Sequence, residues 1–234
     1  MTIDARRAYA AELIGSTLLL ATVVGSGIMA QRLSPGNPGV ALLANALATG
    51  GMLYALILGL GPISGAHLNP VVTLIEAAFR RLPAARVPGY LAAQIVGAFA
   101  GMMLAHAMFG LDLVQHATRV RSSGGEAIGE LVATFGLWLV IATSSRARPT
   151  MVPAAVALYI VAAYWFTSST SFANPAVTLA RSFTDTFAGI RFADAPLFIA
   201  MQLLGGGLAA GMSYWLTISG VHPAPAPSPS AKET

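Results

Sequence analysis

Two short stretches hold the residue types that could do chemistry. They are Ser64-Gly65-Ala66-His67-Leu68-Asn69-Pro70-Val71-Val72-Thr73 and Ser171-Phe172-Ala173-Asn174-Pro175-Ala176-Val177-Thr178. Asn caps the free backbone N–H groups of a helix start, and a following Pro has no N–H to leave unpaired. One Asn-Pro is an ordinary way to begin a helix. Here Asn-Pro-X-Val-Thr occurs twice, 174 − 69 = 105 residues apart, each time beside long apolar runs. Each Asn can cap with its side-chain oxygen while its NH2 donates to a passing oxygen atom. Glu12 and Glu130 lie inside apolar runs. An intramembrane carboxylate is costly, so each is either a functional group such as a proton relay or a structural acceptor, and the structural role is favoured. His67 is either a loop brace or a lumen group, with the brace favoured. The four His, with no Cys, offer no metal-ligand cluster, and there is no Ser/His pairing or paired-Asp arrangement. No enzyme activity, cofactor or metal is expected.

The elements that must position these residues follow from composition. Of 234 residues, 56% are hydrophobic and 9% charged, against about 25% charged in a soluble domain. An integral membrane protein is the natural class. The formal charge of +4 then reads as topology rather than as a nucleic-acid surface. A helix crossing hydrocarbon needs about 20 apolar residues. Six runs qualify, over 9–30, 39–60, 88–109, 127–145, 151–168 and 195–218. The first is too long for a signal-peptide core and is expected to be retained. Two further runs, 69–79 and 174–184, each begin at an Asn-Pro and are too short to cross. Irregular backbone at membrane depth survives only against protein or a water-filled cavity. Two such segments in matching places point to a binding or permeation site.

The halves correspond. Glu12 opens the first span and Glu130 the fourth; Gln94 lies in the third and Gln202 in the sixth. Three spans per half is an odd number, so residues 1–115 and 116–220 are expected to form an inverted repeat. The two short helices then meet head to head near the midplane. Their N-termini place roughly half a positive charge each there, a barrier to cations but not to neutral solutes. Eight of the thirteen basic residues fall on the N-terminal side: Arg6, Arg7, Arg80, Arg81, Arg86, Arg146, Arg148 and Lys232. Both termini are therefore expected in the cytoplasm, in the inner (plasma) membrane. The Pro-rich residues 221–234 are expected to be a disordered cytoplasmic tail.

On both Asn-Pro motifs, the two Glu, the two Gln and the span count, residues 1–220 resemble the major intrinsic protein family, the aquaporins and aquaglyceroporins. The resemblance implies an all-α membrane fold: a right-handed bundle of six tilted transmembrane helices plus two re-entrant half-helices. It also implies assembly in lipid as a homotetramer with one pore per subunit and no nucleic-acid partner. Asn69, Pro70 and Val71, with Asn174, Pro175 and Ala176, match the family's pore motif. Glu12 and Glu130 match its loop braces.

One position departs from the family. Most relatives carry an arginine immediately after the second Asn-Pro-Ala; here that residue is Val177. Carrying the constriction over by spacing gives Thr49 (69 − 20), Ala162 (174 − 12), Ser171 (174 − 3) and Val177 (174 + 3). That ring has no aromatic wall and no guanidinium, so it is expected to be wide and weakly polar. Arg181 lies on the same helical face, about 6 Å beyond Val177, and either reaches an outer vestibule or sits at the surface or on loop carbonyls. The chain thereby resembles bacterial arsenic-resistance-associated aquaglyceroporins that lack the filter arginine. The expectation is a passive channel for small uncharged solutes: metalloid hydroxides such as arsenite, glycerol-like solutes and water. The alternatives are a water-selective aquaporin and, in a different class, a secondary transporter of a small neutral solute.

Overall fold

The computed structural model describes residues 4–218. Six of its helices are long and apolar enough to cross a membrane. They are α1 (Ala5–Leu33), α2 (Pro38–Ser64), α4 (Val87–Phe109), α5 (Gly124–Ala147), α6 (Val152–Phe166) and α8 (Ala195–Ile218), where the crossing lengths of α4, α6 and α8 include the 3-10 turns that lead into them, Ala84–Arg86, Pro149–Met151 and Phe192–Asp194. Two short helices interrupt the series, α3 (Pro70–Ala78) and α7 (Pro175–Arg181). The Pro-rich tail expected over 221–234 lies outside the described residues.

Local chemistry sets these starts. Pro stands in the first turn of α2, α3, α4, α6 and α7, where its missing N–H costs nothing. Asn37 caps α2 by accepting from Val40 N–H, and Ser123 with Glu126 forms a reciprocal capping box on α5. Gly65 and Gly110 close α2 and α4 in the left-handed conformation (φ 87° and 67°). The second half-helix is shorter than the run 174–184, because Ser182 already leaves the helix as the cap of α7.

Glycine decides how closely the helices approach. A Cβ on Gly101 of α4 would stand 2.1 Å from Thr17 O of α1, and one on Gly97 would stand 2.4 Å from Leu13 O. Gly205 of α8 meets Leu131 O of α5 at 2.2 Å in the same sense. Small residues let backbones touch where apolar burial gives helices no reason to associate in lipid. The α1–α4 and α5–α8 pairs are thus built alike, and α2 packs on α6 between them. The outer surface is apolar: Val96, Ile128 and Leu158 are more than half exposed, a face suited to hydrocarbon.

At about 1.5 Å per residue, the nine residues of α3 and seven of α7 together span most of the ~30 Å hydrocarbon thickness. Neither crosses alone. The polar loops ahead of them are therefore buried inside the bundle, and their hydrogen bonds must come from protein or from a lumen.

Candidate functional site

The loops entering the two half-helices follow one plan. Residues three and one before each Asn adopt positive φ: Ala66 (47°) and Leu68 (49°) in the first, Ser171 (50°) and Ala173 (48°) in the second. Non-glycine residues hold this conformation only when surroundings over-determine it, at a cost of order 1–3 kcal/mol each. The over-determination is visible. Glu12 Oε1 accepts from His67 N–H (2.9 Å) and Ser64 Oγ (2.7 Å), and Oε2 from Leu68 N–H (2.7 Å) and Gln94 Nε2 (2.8 Å). Glu130 accepts from Phe172 N–H (2.8 Å), Ala173 N–H (2.8 Å) and Gln202 Nε2 (2.6 Å). Each Gln reaches on to the last residue of the motif: Gln94 donates to Thr73 Oγ1 and Gln202 to Thr178 Oγ1, both at 2.8 Å. Glu12, Glu130, Gln94, Gln202, Thr73 and Thr178 are all fully buried. Carboxylate, amide and hydroxyl thus tie two spans, one loop and one half-helix together in each half: α1 and α4 in the first, α5 and α8 in the second.

The two loops also lock to each other. Asn69 Oδ1 caps α3 through Val71 N–H (2.9 Å), while its Nδ2 donates to Ala173 O (2.7 Å). Asn174 Oδ1 caps α7 through Ala176 and Val177 N–H (3.0 and 3.3 Å), while its Nδ2 donates to Leu68 O (2.7 Å). An amide has two N–H groups, so this exchange leaves one on each Asn beside the cavity that both residues line. The helix starts Pro70, Val71, Pro175 and Ala176 are buried directly behind them.

That cavity, about 260 Å³, draws its wall from α1, α2, α3, α5, α6, α7 and both loops. It reaches from Glu76, Ser145 and Val152 at one end, past the paired Asn, to Thr49, Tyr164 and Arg181 at the other. Between the polar points the lining is aliphatic, with Val23, Leu53, Val72 and Ile160 among it. His67 serves two positions at once. Its backbone N–H belongs to the Glu12 brace, while its ring lines the cavity with Nδ1 3.1 Å from Thr73 Oγ1.

The end of the cavity at Thr49, Tyr164 and Arg181 differs from the ring expected by spacing. Thr49, Ser171 and Val177 line the cavity, but Ala162 does not: it is exposed on the outside of α6. The lumen face of α6 carries Val156, Ile160 and Tyr164 at four-residue steps, and a residue two positions from Ile160 points to the opposite side. Tyr164, ten residues before Asn174, therefore supplies the wall that the spacing gave to Ala162, with its hydroxyl 3.3 Å from Thr49 Oγ1. The ring has an aromatic after all. It has a guanidinium too, because Arg181 lines the cavity one turn beyond Val177 and also donates through Nε to Ala188 O.

Arg181 is 2% exposed, with its Cζ 3.3 Å from the Phe172 ring centroid. A second buried arginine, Arg121, stands 5.0 Å from that ring and donates to Gly189 O (3.0 Å) and Ser169 O (3.1 Å). Burial, then Arg181 and Arg119, pull Arg121 down to about 9, still cationic at neutral pH. Tyr164 and Arg121 carry no distinguishing mark in the sequence, and Phe172 only its place inside the second Asn-Pro stretch. Thr73 and Thr178 did have one, as the last residue of the duplicated motif.

A family model described as Major intrinsic protein matches residues 1–168. The chain is 49% identical over 213 residues to Aquaglyceroporin AqpS of Rhizobium meliloti (strain 1021), with 91% of each chain covered. It is 31% identical over 228 residues to Aquaporin Z of Bradyrhizobium diazoefficiens, covering 89% of this chain and 92% of that one. Among solved structures, the aquaglyceroporin from Plasmodium falciparum superposes with a TM-score of 0.70 over 89% of this chain and 95% of that chain. At 21% identity, this last likeness concerns the fold.

Proposed function

This chain belongs to the major intrinsic protein family, and we propose that it is a passive transmembrane channel for small uncharged solutes. The permeants are metalloid hydroxides such as arsenite, glycerol-like polyols and water. One observation carries the reading: a single cavity passes both capping Asn, each with an amide N–H to spare for a solute oxygen. A hydroxyl-bearing solute exchanges hydration for these donors and slides along the aliphatic wall. A cation meets the N-terminal ends of α3 and α7 and finds few acceptors to replace its water. Residues 1–115 and 116–220 act as inverted repeats around this point, a reading supported by their matching carboxylate–amide–hydroxyl braces. The working form is a homotetramer in the inner membrane with both termini cytoplasmic.

Val177 supports passage of solutes larger than water, since a buried valine occupies the place of the family's constricting arginine. The similarity to a relative named an aquaglyceroporin points the same way. A water-selective channel is the second reading, favoured by Tyr164 and Arg181 at the outer end of the cavity. Stopped-flow light scattering on proteoliposomes, challenged in turn with sucrose, glycerol and arsenite, separates the two. The first reading expects glycerol and arsenite uptake well above empty vesicles, linear in the gradient and indifferent to proton or sodium gradients. Val177→Arg then cuts both by about tenfold, the scale of one lost or blocked contact, while water flux falls less. Water flux alone selects the second reading, and equal loss of water and glycerol in Val177→Arg contradicts the filter assignment.

A further inference from the structure

The outer end of the cavity holds more positive charge than neutral permeation needs. Arg181, which lines the cavity, and Arg121 behind it, 2% and 3% exposed, both lie against the Phe172 ring. Among the described residues neither forms an ion pair. The nearby carboxylates are already engaged. Asp194 takes Arg191 Nη2 (2.7 Å) and Arg121 backbone N–H (2.9 Å), and Glu130 is committed to the loop and Gln202. Arg121 donates through Nε and Nη1 to two carbonyls. Arg181 does not: Nε meets Ala188 O, but Nη1 is buried with no acceptor at all. Ser171 Oγ, on the same cavity wall, is buried and equally unpartnered.

A buried charge without a counter-charge and a buried donor without an acceptor are both costly, and each is relieved by a ligand that brings negative charge and oxygen. We propose that the outer mouth, built on Arg181 and Ser171 with Arg121 behind Phe172, is a binding site for a small monoanionic oxyacid. Guanidinium and hydroxyl donors lining one cavity suit an anion with at least two acceptor oxygens, which a guanidinium holds in forked geometry. The pair of arginines favours the anion over a neutral molecule of the same shape. The Thr49–Tyr164 hydroxyl pair lining the same end of the cavity limits the ligand to a few heavy atoms. The site lies at the entrance to the passage, so an occupied mouth hinders neutral flux.

The test is thermal unfolding of the purified full-length protein in detergent, titrated with sodium methanesulfonate, which stays anionic at every working pH. Dimethyl sulfone serves as its neutral look-alike, and sodium chloride at equal ionic strength controls for salt. The expected result is a saturable rise in unfolding temperature with methanesulfonate alone. Arg181→Gln raises the half-saturating concentration by about tenfold or more, the scale of a lost charge-assisted hydrogen bond. Arg181→Lys, which keeps the charge but not the fork, falls between. Equal shifts with dimethyl sulfone or chloride overturn the proposal, as does an unchanged titration in either variant. Comparing the three solutes on the unmodified protein is decisive even if a variant does not fold. The readout needs no flux, so its failure leaves the channel reading standing.

Discussion

Removing the Glu130 carboxylate tests whether the second loop is held by its brace. In Glu130→Ala three buried donors lose their acceptor: Phe172 N–H, Ala173 N–H and Gln202 Nε2. Each buried donor left unsatisfied costs about 1–3 kcal/mol, and neighbouring effects add incompletely, so the whole is about 3–6 kcal/mol. The positive-φ residues Ser171 and Ala173 hold strain of order 1–3 kcal/mol each. The loop is thus free to relax once its anchor is gone, taking the Asn174 amide away from Leu68 O. For a chain of this size about 2–4 °C accompanies each kcal/mol, which places the fall in unfolding temperature at roughly 6–24 °C. Glu130→Gln keeps the shape and one acceptor oxygen, so about half the loss is expected. Glu12→Ala should exceed Glu130→Ala, because Glu12 also accepts from Ser64 Oγ. Tryptophan-monitored unfolding in detergent gives the order, and stopped-flow glycerol uptake shows whether permeation falls with it. A Glu130→Ala protein with unchanged unfolding temperature and glycerol flux would refute the brace.

The α6 register gives a paired prediction. Tyr164→Ala should raise glycerol permeability several-fold, whereas Ala162→Trp should leave it unchanged, because Tyr164 lines the cavity and Ala162 does not; the reverse pattern in the light-scattering assay would restore the spacing-based ring. Gly101→Ala places a methyl group 2.1 Å from Thr17 O, and forcing α1 from α4 costs about 1–3 kcal/mol, read as a lower unfolding temperature. Gly51→Ala, with open space around its Cβ, is the matched control and should not be destabilised in this way.

Much of the site was legible because it is written twice. The duplicated Asn-Pro-X-Val-Thr, the buried Glu12 and Glu130, and the apolar runs too long for a soluble core all follow from local chemistry and from the length a bilayer imposes. Six crossings and two half-helices start where Pro, Asn and Ser put them, within a few residues. The sequence also contained Gln94 and Gln202 as matching polar residues, but it could not say what they touch. Their partners Thr73 and Thr178 lie 21 and 24 residues away in the chain and meet them only when a half-helix folds back against a span.

Counting residues failed at Ala162 because the distance from a helix face to a motif depends on how many residues the intervening loop uses. α6 ends at Phe166, and the turn after it fixes which side of that helix looks inward. Packing of α6 against α2 and α5 chose Tyr164 for the cavity and turned Ala162 outward. The same holds for the arginines. Sequence alone placed Arg181 on the face of Val177, but only the folded loop from 182 to 190 brought Ala188 O to its Nε and Gly189 O to Arg121, which lies 5.0 Å from the Phe172 ring. Hydropathy and capping act over a few residues and can be read from a linear chain. The lining of a lumen depends on helix rotation, and rotation is decided by which faces interlock across the bundle.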